Sequence, residues 1–194
     1  MALTNSQPSV ATTPAAGQSS PLVMSIIGAV ALAHLINDLI QAVLPSIYPM
    51  LKESYGLTFT QVGLITLTFQ LTASLLQPWV GYYTDRHPKP FLLPCGMICT
   101  LIGILMMSQV GSFPLILLAA ALIGIGSSTF HPEASRVARL ASGGRYGLAQ
   151  STFQVGGNAG SAFGPLLAAA IIIPFGQGNV CLLYTSPSPR DMRR

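Results

Sequence analysis

Charge is almost confined to the gaps between five long apolar runs, at residues 22–44, 60–83, 91–110, 113–130 and 147–173, and this pattern leaves few folds open. Each run holds 18 to 27 residues, and only the first contains a charged side chain, Asp38. A helix rising 1.5 Å per residue needs roughly 20 apolar residues to cross about 30 Å of hydrocarbon, so the runs predict five membrane-spanning helices. Charged residues are 7% of the chain and hydrophobic ones 51%, whereas soluble domains carry about 25% charge. The predicted fold class is an all-α polytopic membrane protein.

The formal net charge of +4 does not point to nucleic acid. The cations sit in short loops, and no basic stripe with interleaved aromatics is present. Residues 1–21 are mostly Ser, Thr, Pro, Ala, Gln and Gly without Lys or Arg, so they lack the basic start of a secretory signal and predict a disordered tail. Cys95 and Cys99 lie one turn apart in an apolar run and Cys181 stands alone, the pattern of buried structural thiols. No motif with metal-ligand spacing occurs, and neither a metal nor a cofactor is expected.

The loops divide by charge. The 45–59 connection carries Lys52 and Glu53 and the 111–112 turn carries nothing, while the opposite face holds Arg86, Lys89, Arg136, Arg139 and Arg145. Positive residues collect on the cytoplasmic side, which places the N-terminus there, in a bacterial inner membrane. Trp79, Tyr82 and Tyr83 read as an aromatic belt at that interface. After residue 178 the chain is too short and proline-rich to cross again. The string from 182 onward resembles translated sequencing-adapter readthrough, so 179–194 is expected to be a non-native tail and 22–178 a truncated half.

Asp38 is the residue most in need of explanation, because a charge at mid-membrane costs at least ~2.5 kcal/mol on insertion scales. His34 lies one helical turn before it, on the same face, and Asn37 and Gln41 make the region more polar. Two readings stand: the group binds a proton or a polar part of a substrate, or it is an interhelical polar contact. His131 and Glu133 close the fourth run near the cytoplasmic face, followed by Arg136 beyond Pro132. Gln154 and Asn158 sit in the fifth run, as Gln70 and Gln77 do in the second, able to bind substrate or bridge helices. Gly156, Gly160 and Gly164 recur every fourth residue, marking a helix face that a neighbouring backbone can approach, and Pro165 follows.

The turn Gly81-Tyr82-Tyr83-Thr84-Asp85-Arg86-His87-Pro88-Lys89, between the second and third runs, resembles the signature loop of the major facilitator superfamily. Pro88 stands where that loop usually has Gly, and Pro90 where a basic residue is common. The Gly160 to Pro165 segment is similar to the fifth-helix motif of the family's drug/proton antiporters. The runs 34–38, 130–136 and 154–158 are similar to its fosmidomycin-resistance branch.

The resemblance implies the N-terminal six-helix half, here with about five helices, of a two-half carrier built around a central site. It further implies proton-coupled efflux of small drug-like compounds, with no enzymatic activity. The small-molecule substrate, protons, the bilayer and a missing C-terminal half would be the partners. His34, Asn37, Asp38, His131, Glu133, Gln154 and Asn158 would bind proton or substrate. Gly81, Asp85, Arg86, Lys89, Glu133 and Arg136 would gate conformational change, and Gly156, Gly160, Gly164 and Pro165 would set packing or exchange direction. Uptake of a metabolite or sugar through the same fold and a nontransporting membrane scaffold are the alternatives. An intramembrane metallohydrolase using His34, Asp38, His131 and Glu133 lacks any motif joining the two clusters.

Overall fold

The computed structural model describes residues 21–89 and 91–176, and among these it is helical throughout its regular structure. The expectations for 1–20, Pro90, Cys181 and 179–194 lie outside the described residues. Five helices are long and apolar enough to cross a membrane: α1 (Met24–Ser46), α3 (Phe59–Arg86), α4 (Leu92–Gln109), α5 (Phe113–Leu140) and α6 (Tyr146–Phe175). A short helix α2 (Tyr48–Tyr55) occupies the connection that the sequence reads as a charged loop.

Local chemistry sets several of these ends. Gly56, in the left-handed region at φ 59°, terminates α2. Thr58 then caps α3: its hydroxyl accepts from the Gln61 amide at 3.2 Å while the Gln61 side chain accepts from the Thr58 amide at 2.8 Å. The turn between α5 and α6 uses Gly143 and Gly144, both at positive φ.

Two boundaries differ from expectation. The fourth run does not end at 130; α5 continues unbroken to Leu140 with Pro132 inside it. Its extension is held by burial, since Phe130, Ala134 and Ala138 pack with Val30 and Phe153. The Gly81 to Arg86 segment is likewise the last turns of α3 and not a loop, so the turn proper begins at His87. Each of α3 and α6 also contains a π-helical segment, at Leu71–Leu75 and Ala168–Ile172. An apolar count has no means of seeing either.

α1 pairs with α6, α4 with α5, and α3 lies against α5. The first pairing is the glycine face: a Cβ on Gly156 or Gly160 would run into the carbonyl of Ala31 or Leu35, and one on Gly164 would meet Ala42 and Leu39. One apolar cluster, including Ile40, Leu44, Ile47, Met107, Ile116 and Ile172, fills one end of the bundle, and the Val30, Phe130 and Phe153 cluster fills another region. The outward faces of α3 and α4 are largely apolar: Leu67, Leu71, Leu75, Trp79, Ile98 and Ile102 are all exposed. A continuous exposed apolar surface on helices of this length is the surface of an integral membrane protein.

Candidate functional site

Between the two apolar clusters lies a polar group assembled from α1, α5 and α6. α1 supplies His34, Asn37, Asp38 and Gln41, because spacings of three and four residues put them on one side of the helix. α5 supplies Ser127, His131 and Ser135 at the same four-residue interval, and α6 supplies Gln150, Phe153 and Gln154. A cavity of about 400 Å³ is lined by His34, Asp38, His131, Ser135, Gln150 and Gln154, with Gln77 of α3 and Phe153 completing its wall.

His34 is buried, 2% exposed, and fixed from both sides. Its Nδ1 lies 2.8 Å from the Phe153 carbonyl oxygen, which only accepts, so Nδ1 carries the hydrogen. The Phe153 ring stacks on the imidazole at 4.0 Å between centroids. Nε2 then faces Asp38 Oδ2 at 3.2 Å. A bare imidazole nitrogen and a bare carboxylate oxygen are both acceptors, so that contact is a hydrogen bond only when one further proton resides on the pair.

The other carboxylate oxygen is equally engaged. Asp38 Oδ1 accepts from Asn37 Nδ2 at 3.2 Å and from Gln41 Nε2 at 3.3 Å, and His131 Nε2 lies 3.5 Å away. Gln41 is oriented by Ser127, whose hydroxyl donates to Gln41 Oε1 at 2.9 Å. The carboxylate thus accepts from two amides, which favour its charged form, and has an imidazole nitrogen beside each oxygen with which a proton can be shared. His131 meets His34 edge-on at 5.0 Å between centroids, so the two imidazoles and the carboxylate form one cluster.

The structure brings together His34, Asn37, Asp38 and His131, with Gln154 in the cavity wall. Asn158 is one step removed, accepting from Gln154 Nε2 at 3.2 Å. Glu133 does not join them. It is 1% exposed and ion-paired with Arg136 Nη2 at 2.7 Å, its Oε1 and the Arg136 Nε having no hydrogen-bond partner among the described residues. Asp85, Arg86 and Lys89 are exposed, and Arg86 stacks over Tyr82 at 3.6 Å. Among the described residues no ion pair joins Asp85 or Arg86 to Glu133 or Arg136, while Gly81 packs on Pro132.

Sequence reasoning missed Ser127, Ser135, Gln150, Phe153 and Gly157. The first two were legible as a polar stripe through His131, and Gln150 continues the Gln154–Asn158 stripe one turn earlier. Gly157 has no such signal. A Cβ there would lie 2.5 Å from His34 Nε2 and 2.9 Å from Asp38 Oδ2, so the absence of a side chain is what leaves room for the pair.

Five bilayer-length helices, four of which line an open polar cavity, define a polytopic helical membrane protein of carrier type. The chain belongs to the Major Facilitator Superfamily, whose family model matches residues 30–185. It is 63% identical over 155 residues to the fosmidomycin resistance protein of Escherichia coli (strain K12), a match covering 80% of this chain and 38% of that relative. It is 48% identical over 155 residues to the uncharacterized MFS-type transporter YfnC of Bacillus subtilis (strain 168), covering 80% of this chain and 37% of the relative. A third relative, the probable nitrate transporter NarT of Staphylococcus carnosus (strain TM300), is 23% identical over 146 residues, 75% of this chain and 37% of its own length. The chain therefore spans less than two fifths of the relatives it matches.

Proposed function

We propose that this chain acts as the N-terminal half of a secondary active carrier that exports small drug-like compounds in exchange for protons. The observation that carries the transport reading is the open 400 Å³ polar cavity set among membrane-length helices and walled by His34, Asp38, His131, Gln77, Gln150 and Gln154. Ionisable groups inside a membrane are expensive and mark substrate or ion paths. The 63% identical relative is named for fosmidomycin resistance, which supports a drug-like cargo, and export is the direction by which a carrier would confer resistance.

Proton coupling draws its support from the His34–Asp38 contact at 3.2 Å, which accommodates one shared hydrogen while Nδ1 stays bound to the Phe153 carbonyl. Exchange follows if substrate and that hydrogen favour opposite orientations of the rocking halves. A C-terminal half supplies the opposing wall of the central site. The N-terminus and the Arg86 and Arg145 loops face the cytoplasm of a bacterial inner membrane, by the loop charges. Glu133, Arg136, Gly81, Asp85, Arg86 and Lys89 act at that face as the gating group, and Pro165 with the glycine face guides exchange.

The test is efflux of a fluorescent drug from cells expressing this chain joined to a C-terminal half, with Asp38→Asn beside it. Asp38→Asn abolishes gradient-driven efflux and leaves membrane insertion intact; unchanged efflux in that variant sinks the assignment. Uptake of a metabolite or sugar through the same fold is the second reading, and the relative named a probable nitrate transporter supports a polar solute as cargo without giving a direction. Its signature is gradient-driven accumulation inside the cell.

A further inference from the structure

We propose that His34 Nε2, a carboxylate oxygen of Asp38 and His131 Nε2 form a three-ligand site for a divalent late transition ion of the zinc class, its fourth position open to the cavity. No motif spacing joins these residues; the packing of α5 against α1 does. One donor atom from each lies within 4.8 Å of the others. The carboxylate stands between the two imidazoles: His34 Nε2 lies 3.2 Å from its Oδ2 and His131 Nε2 lies 3.5 Å from its Oδ1. A tetrahedral ion with bonds of about 2.0–2.1 Å spaces its ligand atoms by about 3.3 Å, so each imidazole is already at that spacing from one carboxylate oxygen, and drawing all three donors onto one ion takes a small side-chain rotation from the 4.8 Å within which they lie.

The surroundings of His34 and Asp38 also match, while His131 Nε2 faces the Gln41 amide at 3.4 Å, a contact the ion would replace. A ligating histidine characteristically donates its other ring hydrogen to a carbonyl or carboxylate, which fixes the tautomer and aims the lone pair at the metal. His34 does this through Nδ1 and the Phe153 carbonyl at 2.8 Å, and the stacked Phe153 ring holds the plane. The carboxylate is steadied by the Asn37 and Gln41 amides at 3.2 and 3.3 Å. Two imidazoles with one carboxylate suit Zn²⁺, Ni²⁺ or Cu²⁺, and offer too few oxygens for Ca²⁺ or Mg²⁺. The cavity supplies an entry path and room for a water or an anionic oxygen at the open position. The inference stands on donor geometry and is independent of whether, or in which direction, the chain transports.

The experiment uses the purified full chain in lipid nanodiscs with Zn²⁺ as the probe, read by equilibrium binding and zinc-edge X-ray absorption. The expected result is one ion per chain in a shell of nitrogen and oxygen donors without sulfur. His131→Ala should weaken binding at least about tenfold, the loss known for even outer-shell partners of metal ligands. Paired Cys95→Ser and Cys99→Ser substitutions should leave it unchanged. Sulfur in the shell, no retained ion on a helical chain, or an affinity indifferent to His131→Ala overturns the site. Should His131→Ala prevent folding, the absorption spectrum of the unsubstituted chain decides. Because the readout is binding, its failure is separable from failure of the efflux assay.

Discussion

Asp38 shows how much a single carboxylate can organise when it is partly buried among polar neighbours: its two oxygens engage His34, Asn37, Gln41 and His131 through four contacts of 3.2 to 3.5 Å. The arrangement depends on one position that carries no chemistry. Gly157 sits where a Cβ would press on His34 Nε2 and Asp38 Oδ2, both side-chain atoms, so an added methyl would displace the pair and not the backbone. Gly157→Ala is expected to destabilise the chain by about 1–3 kcal/mol as an overpacked site. It should also reduce efflux while every polar residue remains. Thermal unfolding of the purified protein and the efflux assay check this together, with Val155→Ala, whose side chain is 65% exposed, as the silent control. Native melting and native efflux in Gly157→Ala would show that the pair tolerates displacement.

At the scale of elements, the glycine face of α6 was legible from its four-residue repeat, and the structure shows why the repeat matters: α1 lies so close that at Gly156 and Gly160 backbone, not side chain, is the neighbour. Gly160 makes the distinction sharp. Its imagined Cβ meets the Leu35 carbonyl and lies 2.9 Å from the Leu39 nitrogen, neither of which can rotate away. Gly160→Val is expected to cost at least the upper end of the about 1–3 kcal/mol typical of overpacking. Gly28→Ala, with nothing within 4 Å, should instead stabilise α1 by about 0.4–1 kcal/mol through the unfolded chain. Opposite shifts in melting temperature for these two substitutions confirm the packing; a common direction refutes it. The five spanning helices of the described residues were legible because lipid demands long apolar runs, whereas the short α2 was not. The continuation of α5 past Pro132 was not, since it depends on Phe130, Ala134 and Ala138 finding Val30 and Phe153 elsewhere in the chain. Nor was the meeting of His131 with Asp38, for no spacing rule links residues on separate helices.

For the whole molecule, the informative surface is the one that is not apolar. α6 exposes Ser151, Gln154, Asn158 and Ser161 at intervals of three, four and three residues, a single polar stripe beside the cavity. Such a stripe is unfavourable against lipid and is retained where a helix faces water or another protein segment. α4, by contrast, exposes Ile98 and Ile102. If the stripe lines the path shared with a second half, a membrane-impermeant thiol reagent will modify Asn158→Cys and spare Ile98→Cys, each made after replacing Cys95, Cys99 and Cys181 by Ser. Supplying the C-terminal half or a transported drug should slow the Asn158→Cys reaction without changing Ile98→Cys. Equal silence at both positions would mean that the stripe meets lipid, and the cavity would then be an internal polar pocket with no opening to a translocation path.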